Sequence, residues 1–70
     1  MQRAAYSGDQ YRLVVGRVGI VYDGKSKSEA RRRFRLFVIQ SQTTGSRYAG
    51  EPVTLFKNYE IPREYRPPET

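Results

Sequence analysis

The sequence contains no cysteine, no histidine and no tryptophan. Without cysteine there is no disulfide staple and no thiolate chemistry, and without cysteine or histidine the commonest zinc ligands are missing. No metal site and no cofactor is expected. The same absences remove the side chains most used as catalytic bases and nucleophiles. Carboxylates remain, but they are scattered along the chain. Glu51, beside a loop, is the one placed suggestively, with a loop salt bridge or backbone cap as its plainer role, and no carboxylate pair has a spacing suited to metal or glycosidase work. A non-enzymatic protein is the expectation. Long apolar runs are lacking too: nothing approaches the roughly 20 residues of a membrane span. The stretch Met1 to Tyr6 lacks the apolar middle of a secretory signal. A complete, soluble, cytoplasmic chain follows as the expectation, with no membrane partner.

What is present is a short, basic chain. Its 70 residues suffice for one domain with a modest core, since a chain of this size buries only about 60% of the surface it exposes when unfolded. We read residues 1–70 as a single domain with an ordered core over about 10–62 and mobile termini. Thirteen Lys and Arg against seven Asp and Glu leave a formal charge of +6. That charge attracts anionic partners over long range, nucleic acid first among them, and it also serves plain solubility.

Residues Tyr11, Leu13 and Val15 alternate with Arg12 and Val14, the period-two pattern of a strand. Gly16-Arg17 suits a two-residue type II′ turn, which pairs Val15 with Val18, Leu13 with Ile20 and Tyr11 with Tyr22 and places all six on one core face. Asp23-Gly24 ends the second strand. Ser26-Lys27-Ser28-Glu29 matches a capping box, so a helix starts at Lys27 and ends at Thr43-Thr44-Gly45. At about 100° per residue its core stripe is Ala30, Phe34, Phe37, Val38 and Ser41. Gln42 to Pro52 reads as a loop, Val53 to Lys57 as a strand and Asn58-Tyr59 as a turn. Glu60 to Tyr65 is a fourth strand at a sheet edge or no strand at all, because Pro62 has no amide to donate. The expected fold is α+β: a ββαβ(β) two-layer sandwich, with one helix packed across an antiparallel sheet.

Three groups of residues stand out as binding candidates. Arg31, Arg32 and Arg35 spread over the solvent side of the helix, with Arg33 at the border of the core stripe, and arginine forks suit phosphate. Arg47-Tyr48, like Tyr59, Arg63, Tyr65 and Arg66, mixes cations with rings in the way that stacks bases while gripping phosphates. Leu36 and Ile39 project away from the stripe beside Arg32, a small apolar centre with a charged rim suited to a protein partner or a homodimer. The loop Gly45 to Gly50 could also offer backbone amides to an anion.

The pattern Gly16-x-x-Gly19-x-Val21-Tyr22-Asp23-Gly24, then Glu29-Ala30, Phe34, Gln40-Ser41 and Arg47-x-Ala49-Gly50-Glu51-x-Val53-Thr54-Leu55-Phe56, resembles a group of small uncharacterised bacterial and phage proteins. That resemblance implies an accessory protein of a phage or mobile element. Gly16-Arg17-Val18-Gly19 followed by Glu29-Ala30 and Phe34 is also similar to the tryptophan-glycine-arginine domain of nucleic-acid repair proteins, although the chain has no tryptophan. Three functions are therefore expected candidates. The first is a binding module for nucleic acid or a nucleoprotein, through Arg31, Arg32, Arg35, Arg47 and Tyr48. The second is an inhibitor or adaptor of a protein, of the phage counter-defence type, through Arg32, Leu36 and Ile39. The third is a sponge for a small anionic nucleotide in the Gln42 to Pro52 loop.

Overall fold

The structure, a computed structural model, describes residues 9–68. The N-terminal stretch through residue 8 and the last two residues, both expected to be mobile, lie outside the described residues. Two strands, β1 (Tyr11–Val15) and β2 (Gly19–Gly24), precede the helix α1 (Lys27–Gln42), and two more follow it, β3 (Val53–Lys57) and β4 (Glu60–Tyr65). All neighbouring strands are antiparallel, in the order β2-β1-β3-β4. The α+β sandwich with one helix across an antiparallel sheet is thus the architecture, with four strands in the sheet.

The first hairpin departs from the expected register. Its loop takes three residues, Gly16 to Val18, closed by a bond from the Val18 amide to the Val15 carbonyl (2.8 Å), and Val15 pairs with Gly19 rather than Val18. Gly19 has φ 104, a conformation open to glycine at little cost, and it admits the extra residue. One slipped residue turns a strand over. Ile20 therefore sits opposite Val14 on the far side of the sheet, 57% exposed, and Val18 is exposed in the loop. A bulge between Leu13 and Val14 then adds a second slip, which returns Tyr22 to the core side opposite Leu13. Val21 and Tyr22, adjacent in sequence, consequently both pack against the core.

The core itself is small. Tyr11, Leu13, Val15, Val53 and Leu55 come from the two central strands, and Ala30 from the helix; all six are buried, and Phe34, Phe37 and Val38 pack onto them. The helix begins as expected, with Ser26 Oγ accepting from the Glu29 amide at 3.1 Å. The returning half of the capping box is replaced: the Glu29 carboxylate accepts from Arg32 and Arg33 instead. Ser41, buried at the other end, donates to the Glu51 carbonyl at 2.6 Å and accepts from the Gly50 amide at 2.9 Å through its own carbonyl, tying the long loop to the helix.

Strand β4 runs at the edge and carries Pro62 in the irregular stretch between the Leu55–Arg63 and Lys57–Glu60 pairs, where a missing amide costs least. It continues to Tyr65, beyond the expected end of order near residue 62. Asn58 turns the chain into it with φ 58. The Asn58 Oδ1 accepts from the Gln10 amide at 3.0 Å, locking this turn to the start of β1.

The register has a direct energetic consequence. Replacing the fully buried Leu13 by alanine should cost about 2–5 kcal/mol, on the order of half of the roughly 3.5–10 kcal/mol available at about 0.05–0.15 kcal/mol per residue. Ile20→Ala, on the exposed side, should stay within about 0.5 kcal/mol. Urea denaturation of the two variants checks this, and equal losses would restore the simple two-residue hairpin.

Candidate functional site

A helix turn places Arg31 and Arg35 on one flank of α1, on the same side as Phe34 and Val38 of the core stripe. The pairing of Leu55 with Arg63 puts Arg63 on the helix-facing side of β4. The three arginines meet there, around a shallow groove of about 170 Å³ with Phe34 and Val38 in its wall. Arg31, Arg35 and Arg63 are exposed. Among the described residues, carboxylates pair with Arg12, Arg17, Arg32, Arg33, Lys57 and Arg66, and with none of these three. Three guanidinium groups thus line one groove without a described counter-charge, beside the apolar side chains of Phe34 and Val38.

The other expected anion contacts are placed differently. Arg32 Nη2 donates to both Glu29 oxygens at 2.8 Å, and Arg33 donates to the same carboxylate. The cause is spacing, since residues three and four apart share a helix face. Hydrogen bonds from Arg32 and then Arg33 hold the Glu29 carboxyl below its ordinary pKa, and the Arg32 pKa rises in turn. Arg33 also lies over the Tyr22 ring, 5.2 Å from its centroid, closing the β2 flank of the helix. Tyr48, expected to stack a base, instead packs edge-on against Phe37 (5.0 Å, 86°) and joins the core, while Arg47 lies over its ring at 5.8 Å. Phe37 projects toward the Arg33 flank of the stripe, so Arg47 and Tyr48 are not brought to Arg31 and Arg35. A ring that finishes the core is not free to stack.

Leu36 and Ile39 are 49% and 51% exposed on the outer face of α1, beside Arg32. Among the described residues no strand covers them. The loop after the helix spends most of its amides internally: those of Ser46, Tyr48, Ala49, Gly50 and Glu51 bond to the chain itself. Glu51 acts as a cap, accepting from the Arg17 amide at 3.0 Å against the first hairpin. The close approach of its carboxylate to Gly16 leaves no room for a Cβ there.

The opposite face of the sheet was not singled out by the sequence patterns. No helix covers it. Gln10, Arg12, Val14, Ile20, Phe56, Asn58 and Tyr59 line a basin of about 560 Å³ on this side. Only the slipped register of β2 reveals it, because the expected pairing buries Ile20. Among the described residues no group of His, Cys, Asp or Glu could hold a metal, and no helix is long and apolar enough to cross a membrane. The chain matches no protein-family model, no curated protein and no solved structure with which it was compared.

The Glu29 cluster has a pH signature. Because its folded pKa is lowered, the carboxylate stabilises the fold above its unfolded pKa, and that contribution is lost as pH falls through the folded value. Glu29→Gln should therefore melt below the parent at neutral pH, with the gap closing in acid. Thermal melts followed by circular dichroism check this, and a gap independent of pH would assign the loss to packing.

Proposed function

We propose that this chain is a non-enzymatic binding module for nucleic acid that grips the phosphate backbone in the groove between α1 and β4. The observation that carries the reading is the convergence of Arg31, Arg35 and Arg63, none with a described ion-pair partner. Arginine presents a planar, permanently charged fork, and phosphate oxygens accept two parallel bonds from it. The net charge of +6 draws a polyanion toward the molecule before contact. Such a module acts in the cytoplasm, where nucleic acid is accessible. The resemblance to small bacterial and phage proteins fits an accessory role in a phage or mobile element, on nucleic acid alone or within a nucleoprotein.

Binding through these side chains releases counterions, so affinity should fall with salt by about 0.7–0.9 in log–log slope for each phosphate neutralised. Replacing Arg31, Arg35 or Arg63 by glutamine should weaken binding and flatten that slope by about one each. Arg32→Gln should leave it unchanged, since Arg32 is turned to Glu29. Fluorescence anisotropy of a labelled oligonucleotide across a salt series measures this. Affinity indifferent to salt, or to the three groove variants, would sink the reading.

A second reading rests on the half-exposed Leu36 and Ile39. They would serve an inhibitor or adaptor that docks a protein by the outer helix face, away from the groove. Replacing both by lysine should abolish capture of such a partner while circular dichroism shows the fold intact.

A further inference from the structure

The basin on the open side of the sheet differs from the arginine groove in both charge and shape. Its floor is largely apolar: Val14 of β1 is paired with Ile20 of β2, and Phe56 of β3 lies diagonal to Val14, opposite Arg12. The charged residues on this face pair within the chain: Arg12 with Asp23 at 3.1 Å, and Glu64, opposite Thr54, with Arg66 at 3.1 Å. The face is therefore close to neutral on a molecule of net charge +6. Of the three phenylalanines, Phe34 and Phe37 pack onto the core, whereas Phe56 belongs to the basin. Tyr59, at the turn into β4, is 101% exposed beside it. The rim is hydrogen-bonded within the chain: Gln10 donates to Asp23, and Asn58 is tied to the Gln10 amide and to Asp9.

We propose that this basin stacks the bases of a single-stranded nucleic acid whose phosphates lie in the Arg31, Arg35 and Arg63 groove. The inference rests on the nucleic-acid reading and adds the form of the ligand. Uncharged, planar bases suit a neutral face with the half-buried Phe56 and the exposed Tyr59, and phosphates suit arginines that have no ion-pair partner among the described residues, so the two surfaces complement the two halves of a nucleotide. Between them lies a single edge strand. β4 carries Arg63 toward the groove and borders β3, whose Phe56 faces the basin. A flexible single strand can follow that edge from one surface to the other. A duplex, stiff over about 150 base pairs and with its bases stacked inside, reaches the groove alone. With Gln10 and Asn58 already tied to the chain, contact is by stacking, which is tolerant of base identity.

The test compares a labelled oligothymidylate of about 15 nucleotides, within the site sizes of single-strand binders, with a duplex of equal length. Tyr59→Ala and Phe56→Leu should each weaken single-strand binding about tenfold and leave duplex binding unchanged, while Arg31→Gln weakens both. The Tyr59 side chain is wholly exposed, so its variant stays readable even where Phe56→Leu disturbs folding. Single-strand affinity unaltered in both variants, with the arginine variant still impaired, would overturn the stacking inference and leave the phosphate groove standing. A parent chain that binds neither form would overturn both. Sedimentation showing a dimer that Ile20→Lys dissociates would assign the basin to a second copy and likewise overturn the inference.

Discussion

One helix about 10 Å across cannot cover a sheet of four strands, which at about 4.8 Å each is roughly 19 Å wide. That mismatch governs the rest of the molecule. The helix packs over β1 and β3, where Leu13, Val15, Val53 and Leu55 are buried beneath Ala30. Its β2 flank is closed by Arg33 lying over Tyr22. On the β4 flank nothing comparable fills the gap among the described residues, and Arg31, Arg35 and Arg63 line it. The other face of the sheet has no layer at all among the described residues. Both candidate surfaces are thus what a single helix leaves open.

The small core makes this arrangement sensitive at its centre and tolerant at its margins. Six buried apolar residues hold the two central strands to the helix. The long loop is fastened at Ser41 and again where Glu51 caps the first hairpin, so the loop that looked available for ligand is part of the frame. The candidate contacts are residues that packing does not need. Arg31, Arg35 and Arg63 on one side and Tyr59 on the other can change with little effect on the core, whereas Tyr48 cannot, because its ring is edge-on to Phe37.

The ion pairs sort the arginines more sharply than composition does. All four arginines of the helix are equivalent in a list, and about 100° per residue separates their directions. Glu29 then selects Arg32 and Arg33 by being three and four residues away. Arg31 and Arg35 are left facing β4. Net charge drew attention to the run, but local pairing decides which of its members meet a partner.

Much of the architecture was legible in the chain. The period of two in Tyr11 to Val15 and in Val53 to Lys57, the Ser26 cap, and the stripe of Ala30, Phe34, Phe37, Val38 and Ser41 all depend on neighbours within a few residues, so strands and helix could be read with their inward faces. The edge position of β4 followed from Pro62 for the same local reason. What only the tertiary structure decided was register and proximity across the chain. The positive φ of Gly19 and the bulge opposite Leu13 and Val14 turned Ile20 outward and Val21 inward, and no local pattern encodes two slips that restore the original parity. Arg63 reached Arg31 and Arg35 only because β4 lies beside the helix flank, and Phe56 and Ile20 line one basin only because β1 alone separates their strands. Local periodicity determines which side of an element is apolar; packing between distant segments determines what that side meets.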